Sequence, residues 1–239
     1  MKLNIRILIY PLIMVMFLML SSSCSKTDTN DPTPSGSTVS DIDGNVYNTV
    51  KIGTQTWMVE NLKVTKYNDG TSIPNVTDLT AWSNLTTPGY CWYNNDVANK
   101  NPYGALYNWY TVNTGKLCPA GWHVSTQNEW ITLVTFLGGE SIAGGKLKEK
   151  GYTHWLQPAA GMTNATNESG FTSLPGGSRN PGLDNFWGIG ELGGYWTSNQ
   201  QDATYAFYFE TSYNGNECSY INVGGEPKNT GFSVRCIKD

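Results

Sequence analysis

The chain has 239 residues and a formal net charge of −4, and only 14% of its residues are charged while 13% are aromatic. This acidic balance, with no basic cluster to offset it, argues against binding to nucleic acid or to an anionic membrane surface. A polar, aromatic-rich surface suits uncharged partners such as sugars. It equally suits a compact exported domain held by ring packing and hydrogen bonds.

The first residues predict export and lipid attachment. Lys2 and Arg6 frame the start of an apolar run over residues 7–20, which is shorter than the roughly 20 residues of a membrane-spanning helix. Small residues then lead to Cys24. This order predicts a lipoprotein signal peptide over residues 1–23 and acylation of Cys24. The alternative is an ordinary signal peptide followed by an incidental cysteine.

The segment after the signal peptide is predicted to be a tether. Residues 24–38 carry Cys24 and a run of Ser, Thr, Asp, Gly and Pro without large apolar side chains, so they cannot bury enough surface to fold. Residues 39–239 follow with no second linker or internal repeat, which predicts one domain. We therefore expect a lipid-anchored protein of the cell envelope, at the outer membrane and exposed at the cell surface.

Short strands are predicted throughout this domain. Glycine pairs and Asn-Gly or Asp-Gly steps divide it into short segments, as is typical of tight turns between strands. Residues 46–52 and 55–59 are predicted to form a hairpin. Further strands are predicted where aromatic and β-branched residues partly alternate, at residues 205–210, 218–223 and 231–237.

One helix is well specified by the sequence. Thr126 and Glu129 have the spacing of a capping box, and Gly138 stands where a helix would end. Between them, apolar residues recur at helical spacing, at Trp130, Leu133, Val134 and Leu137. A second, shorter helix is predicted over residues 142–150. The fold class is therefore α+β, with short twisted antiparallel strands, one or two helices and long loops.

The cysteines predict disulfide bonds rather than a metal centre. The chain has five cysteines, and lipidation of Cys24 would leave an even number in an oxidising compartment. These are Cys91, Cys118, Cys218 and Cys236. Four cysteines allow three pairings, and their spacing selects none of them. No Cys-x-x-Cys step occurs, and His123 and His154 are far apart, so no metal is predicted.

No cofactor is predicted, and the strongest calcium-like pattern is incomplete. Residues 41–45 resemble the start of a calcium loop, but a third spaced ligand and a distal glutamate are missing. A turn is the more direct interpretation of this segment.

Six short motifs follow one another in an order that resembles a known family. They are DIDGNVY (41–47), QTWMVENL (55–62), YGALYNW (103–109), CPAGWHVST (118–126), LPGGSR (174–179) and GFSVRC (231–236). In these motifs the chain resembles the Fibrobacter succinogenes major paralogous domain family of exported bacterial proteins. That family is similar to the C-type-lectin-like fold and to the formylglycine-generating-enzyme group.

The resemblance implies a C-type-lectin-like fold and a particular set of disulfides. In that fold the last strand returns beside the start of the helical part, which implies a bond between Cys118 and Cys236. Cys91 would then pair with Cys218. The resemblance does not imply an activity, because one fold hosts many functions.

The residues that catalysis would require are not found. Enzymes of the formylglycine-generating group need either two reactive cysteines or an iron site with histidine and carboxylate ligands, and neither arrangement maps onto this chain. Asn180 replaces the closing glycine of a hydrolase nucleophile elbow. We therefore predict that the protein is not an enzyme. A glycosidase with paired carboxylates stays open, since the sequence names no pair.

A binding face is the preferred hypothesis, because aromatic rings and amide side chains in loops are how proteins hold neutral sugars. The predicted ligand-binding residues are Trp187, Trp196, Tyr195, Tyr213, Tyr220, Arg179 and Asn185. Other aromatic residues are expected in the core, namely Trp57, Trp109, Trp122 and Trp130. Arg235, beside Cys236, is predicted to be a structural hydrogen-bonding residue.

The sequence therefore predicts a non-catalytic binding module, with polysaccharide at the cell surface as its partner. One alternative is an adhesin or assembly module that binds another surface protein through an exposed strand edge or aromatic patch. A remote alternative is an enzyme of the formylglycine-generating group.

Overall fold

The computed structural model describes residues 36–159, 165–182, 185–220 and 225–239, except for the side chain of Tyr220. The predicted signal peptide, Cys24 and most of the predicted tether lie outside the described residues, so lipid attachment stays a prediction. The described residues belong to one compact unit, Asp31–Asp239. Among them, no helix has the length and apolar character needed to cross a membrane.

Short strands and a few short helices make up the described chain. The strands are β1 (Thr38–Ser40), β2 (Val46–Ile52), β3 (Gln55–Met58), β4 (Tyr90–Cys91), β5 (Leu106–Tyr107), β6 (Trp122–Val124), β7 (Gly176–Arg179), β8 (Phe186–Ile189), β9 (Leu192–Gln200), β10 (Tyr205–Ser212), β11 (Cys218–Tyr220), β12 (Glu226–Pro227) and β13 (Cys236–Lys238). The helices are α1 (Leu79–Ser83), α2 (Lys100–Tyr103), α3 (Trp109–Val112), α4 (Gln127–Phe136) and α5 (Glu140–Leu147). The α+β class is as predicted.

Two antiparallel sheets organise these strands. The first has the order β1-β2-β3-β13-β6, so the strand nearest the C-terminus lies between two strands from the first half of the domain. In the second sheet, β10 is central, with β9 along one edge and both β11 and β12 along the other. Strands β4 and β5 form a separate two-stranded sheet, and so do β7 and β8.

The predicted strands are confirmed in the first half of the domain and partly corrected in the second. The hairpin β2–β3 forms as expected, and β10 extends two residues beyond its predicted end. The strand predicted over residues 231–237 is wrong in extent, since only its end is in β13. Gly231, Phe232 and Ser233 instead make single bridges to three different parts of the chain. A segment that crosses between elements in this way cannot form one continuous ladder.

Helix α4 forms as its capping box predicts. The Thr126 hydroxyl accepts from the Glu129 N–H at 3.2 Å, and the Glu129 carboxylate accepts from the Thr126 N–H at 2.7 Å. The helix ends before Gly138, whose φ of +103° suits a residue without a side chain. The second helix, α5, begins two residues earlier than predicted and ends at Leu147.

The core contains two large hydrophobic clusters, one on each face of β9, and a smaller third cluster that includes Trp82 and Cys91. Tyr195 belongs to one cluster and its neighbour Trp196 to the other. In the first of these, the Trp130 ring stacks on Phe209 with centroids 4.0 Å apart. Among the tryptophans predicted to be in the core, Trp57, Trp109 and Trp130 are buried and Trp122 is partly buried.

One of the two expected disulfides is present. Cys118 and Cys236 are bonded, as the family resemblance implied. The expected pairing of Cys91 with Cys218 is wrong, because both thiols are free and buried in different clusters. Burial raises the pKa of each of these thiols to about 12, so neither is a reactive thiolate at neutral pH.

Arg235 connects distant segments of the chain from a fully buried position. Its Nη1 donates to the carbonyl oxygens of Met58 at 3.0 Å, of Phe171 at 2.7 Å and of Val59, and its Nη2 donates to Asn61 Oδ1 at 2.7 Å. These contacts confirm the prediction of a structural role. They also give buried carbonyl groups the donors that such groups require.

Replacing Arg235 by methionine should lower the free energy of unfolding by at least about 3 kcal/mol, because several buried acceptors lose their donor. Arg235→Lys should recover only part of this loss, since an ammonium group cannot reproduce the fork of the guanidinium. Urea unfolding measures both effects. Lys238→Met, at an exposed position on β13, is the control and should change stability by less than about 0.5 kcal/mol. Equal losses in the two methionine variants would contradict the role of Arg235.

Candidate functional site

Several predicted ligand-binding residues lie in the core. Trp196, Tyr195 and Arg179 have no exposed surface. The Trp196 indole donates to the Tyr107 carbonyl at 2.8 Å, and the Tyr195 hydroxyl lies 2.9 Å from Ser173 Oγ. The prediction that these residues contact a ligand is therefore wrong. The physical reason for the two rings is that β9 has a hydrophobic cluster on each face, so neither face is left for solvent.

Arg179 and Asn185 join neighbouring segments of the chain through hydrogen bonds rather than present donors at the surface. The Arg179 guanidinium donates to the Thr77 carbonyl at 2.8 Å and to Asn185 Oδ1 at 3.0 Å. It also lies 4.5 Å from the centre of the Trp82 ring. Asn185 is half-buried with a φ of +29°, and its carbonyl accepts from the Asn180 N–H. The side-chain oxygen predicted to bind a ligand is thus already bound to Arg179.

Tyr213 and Tyr220 do not join a common site in the described residues. Tyr213 is half-buried beside a cavity of about 10 Å³ that it shares with Lys148 and Trp155. A space of that size holds about one water molecule and no sugar ring. Tyr220 pairs with Phe209 through its backbone, and its side chain lies outside the described residues. The prediction for Tyr220 is therefore untested.

Trp187 is the predicted binding residue that the structure leaves at the surface. Its side chain is 51% exposed. On the β7–β8 hairpin it lies directly opposite Ser178, and both residues line an open cavity of about 530 Å³. We call this the Trp187 cavity, and its lining residues are Ser178, Asn180, Pro181, Trp187, Leu192, Tyr208, Glu210, Glu226 and Phe232.

The floor of the Trp187 cavity is built from two stacked rings. The Tyr208 ring lies 5.0 Å from the Phe232 ring with the planes nearly parallel. Phe232 in turn lies over Gly194, where an added Cβ would be only 2.6 Å from the ring. Gly194 is therefore required for the ring to lie this close to β9. At the rim, Ser178 Oγ donates to Asn180 Oδ1 at 3.3 Å and orients that amide.

Strand β10 supplies the residues that sequence reasoning missed. Successive side chains of a strand point to opposite faces, so Phe209 packs on Trp130 in the core while Tyr208 and Glu210 line the cavity. The available signal was Glu210 itself, which is a charged residue at the end of the aromatic run Tyr-Ala-Phe-Tyr-Phe. A carboxylate in such a strand is costly to bury, so it marks a face that meets solvent or a ligand.

Two glutamates line the Trp187 cavity, although the sequence alone identified no pair of carboxylates. Glu210 and Glu226 are both half-buried. Burial raises the pKa of Glu210, and the charge of Glu226 raises it further. Burial also raises the pKa of Glu226. The cavity therefore offers an exposed indole, acidic groups, an amide and hydroxyl groups to a ligand.

A second open cavity adjoins the first through Glu210. We call it the β11 cavity, and its volume is about 600 Å³. Its lining residues are Glu140, Ser141, Glu210, Ser212, Asn214, Glu217, Cys218 and Ser219. Glu210 therefore lines both cavities.

Glu210→Gln should stabilise the folded protein at pH 7. The pKa of Glu210 is raised in the folded state, so its charged form opposes folding at a pH above that value, and protonation removes the opposition. The gain should shrink as the pH falls through the folded pKa towards about 4.3, the ordinary value for an unfolded chain. Urea unfolding between pH 4 and pH 7 measures this trend.

The control for this measurement is Glu168→Gln, at an exposed glutamate that lines neither cavity. Its effect should not follow the same pH trend. A Glu210→Gln variant that is less stable than the parent at pH 7, or equally stabilised at pH 4, would contradict the electrostatic assignment.

Comparison with known proteins identifies a family and nothing closer. Residues 50–238 match the family model described as Fibrobacter succinogenes major domain. No curated protein and no solved structure matches the chain. In the part of the chain that the structure describes, no group of three or more His, Cys, Asp or Glu side chains is placed to hold a metal ion.

Proposed function

The chain belongs to the Fibrobacter succinogenes major domain family, and from this premise we propose that it is a non-catalytic, surface-displayed module that binds carbohydrate in the Trp187 cavity. One observation carries the proposal. A half-exposed indole stands at the wall of an open cavity whose other walls present carboxylate, amide and hydroxyl groups.

The chemistry of these groups suits a sugar. The C–H face of a pyranose ring packs on an aromatic ring, while its hydroxyl groups exchange hydrogen bonds with amide and carboxylate side chains. Trp187 supplies the ring, and Asn180 with Glu210 and Glu226 supplies the polar partners. The volume of about 530 Å³ also falls in the range of about 300–1,000 Å³ that is common for small-molecule sites.

A C-type-lectin-like fold is part of the same proposal. It is supported by the pairing of β13 with β3, which brings the C-terminal strand beside the start of the domain, and by the Cys118–Cys236 disulfide. A crystal structure that does not superpose on C-type lectin domains would contradict it.

We also propose that a lipid on Cys24 anchors the protein to the outer membrane, where it faces the outside of the cell. Cells grown with labelled palmitate should incorporate the label into the parent protein and not into Cys24→Ser. Cys91→Ala, which removes a buried thiol, is the matched control and should be labelled like the parent. An unlabelled parent protein would contradict the anchor, and resistance to protease added to intact cells would contradict surface exposure.

Trp187→Ala should weaken carbohydrate binding by at least about tenfold, because loss of an aromatic contact removes about 1.4 kcal/mol or more. A glycan and polysaccharide array identifies the ligand, and calorimetry then measures the affinity. Phe136→Ala is the control, since Phe136 is 63% exposed on α4 and lines neither cavity of the site. It should bind like the parent.

The outcomes separate the candidate functions. Binding that disappears in a folded Trp187→Ala variant supports the carbohydrate site. Equal losses in the Trp187 and Phe136 variants would contradict the location of the site. An array without any binding would overturn the carbohydrate proposal in favour of adhesion or assembly through a protein partner.

A further inference from the structure

The charges that line the two cavities have one sign. Among the described residues that line the Trp187 cavity or the β11 cavity, the ionisable acidic groups are Glu140, Glu210, Glu217 and Glu226, and no lysine, arginine or histidine is present. The two cavities together would therefore repel an anionic ligand along their whole length. Since like charges brought together cost free energy, they favour a ligand that brings positive charge.

Glu210 stands at the junction of the two cavities without a donor. It lies in the middle of the second sheet, opposite Gly194 on β9 and Ser219 on β11. Neither of these neighbours carries a charge. Among the described residues, no N–H or O–H group donates to the Glu210 carboxylate, and the charged side chain that acts on it is Glu226. Two buried lysines among the described residues, Lys148 and Lys228, differ from Glu210 in this respect.

Both lysines have hydrogen-bond partners. The Lys228 ammonium donates to the Asp202 carbonyl at 2.7 Å and to Gln200 Oε1 at 3.1 Å, and the Lys148 ammonium donates to the Ser212 carbonyl at 2.7 Å. A half-buried carboxylate that lines one cavity with a second carboxylate and accepts no such bond is destabilising. It becomes favourable when a ligand supplies a cationic donor.

Accordingly, we propose that the ligand of this site is a glycan with free amino groups, such as a de-N-acetylated hexosamine polymer, with an ammonium group between Glu210 and Glu226. This inference rests on the proposed carbohydrate function and narrows it to a chemical class. Trp187 packs on the sugar ring, Glu210 and Glu226 accept from the ammonium group, and the next unit of the polymer lies in the β11 cavity, near Glu140 and Glu217.

The test compares three oligosaccharides that differ in charge, with the purified full-length protein and calorimetry at pH 6, where the amino groups of a glucosamine oligomer are mostly protonated. These are a glucosamine oligomer, the same oligomer fully N-acetylated, and an oligogalacturonate of equal length. The glucosamine oligomer should bind at least about tenfold more tightly than the acetylated one, the scale of one ion pair at a protein surface. High salt should reduce that preference, and the oligogalacturonate should not bind.

Two variants locate the effect. Glu210→Gln with Glu226→Gln should remove most of the preference for the amine, measured as the ratio of the affinities for the glucosamine oligomer and for its acetylated form. Glu168→Gln, which removes one exposed charge outside both cavities, should leave the preference unchanged. If Glu168→Gln loses the preference as fully as the double variant does, attraction by the overall negative charge explains the preference and the proposal fails.

Different binding results would overturn the amine proposal and the proposed carbohydrate function. Binding that depends on Trp187 but favours the acetylated or the acidic oligomer would overturn the amine proposal and leave the carbohydrate site intact. If no oligosaccharide binds in a Trp187-dependent way, and the array is also blank, the proposed function itself is overturned.

Discussion

The buried guanidinium of Arg235 is the interaction on which the rest of the domain depends. It joins residues 58–61, residues 171–172 and the C-terminal strand, which are distant in sequence. A guanidinium can be buried only when its N–H groups have acceptors, and most of its acceptors are backbone carbonyls outside the ladders of the sheets. The guanidinium therefore supplies the donors that these carbonyl groups need, and the carbonyl groups supply the acceptors that the guanidinium needs. The disulfide from Cys236 to Cys118 fixes the next residue covalently, so the C-terminal strand is held at two adjacent positions.

The same C-terminal segment builds the floor of the candidate site. Phe232 precedes Arg235 by three residues, and its N–H donates to the Tyr107 carbonyl while the next N–H donates to the Gly194 carbonyl, each at 3.1 Å. These bonds, with Arg235, place the Phe232 ring between Gly194 and Tyr208. The depth of the Trp187 cavity therefore follows from contacts that also stabilise the core. The same C-terminal segment thus serves the core through Arg235 and the candidate site through Phe232.

The features predicted correctly from the sequence are those set by local interactions. The hairpin β2–β3 and the capping box at Thr126 involve residues within a few positions of one another.

Whether a tryptophan is buried depends instead on what covers it. Trp187 and Trp196 both follow or precede glycine-rich segments. Trp187 lies on β8, whose four residues are half-buried or exposed, whereas Trp196 lies on a strand with a hydrophobic cluster on each face. The sequence contains no local signal for that difference, nor for the separate clusters that keep Cys91 from Cys218.

The two faces of β10 differ in what their side chains contribute to stability. Phe209 on the inner face stacks with Trp130 and contributes to the core. On the outer face, Glu210 has a raised pKa because burial and Glu226 both oppose its charge. A threonine or glutamine at that position would fill a strand without this penalty. Proteins retain residues that oppose stability mainly where binding or catalysis uses them. Glu210 lines the same open cavity as the exposed Trp187 indole, so the cationic ligand proposed above would remove this unfavourable charge.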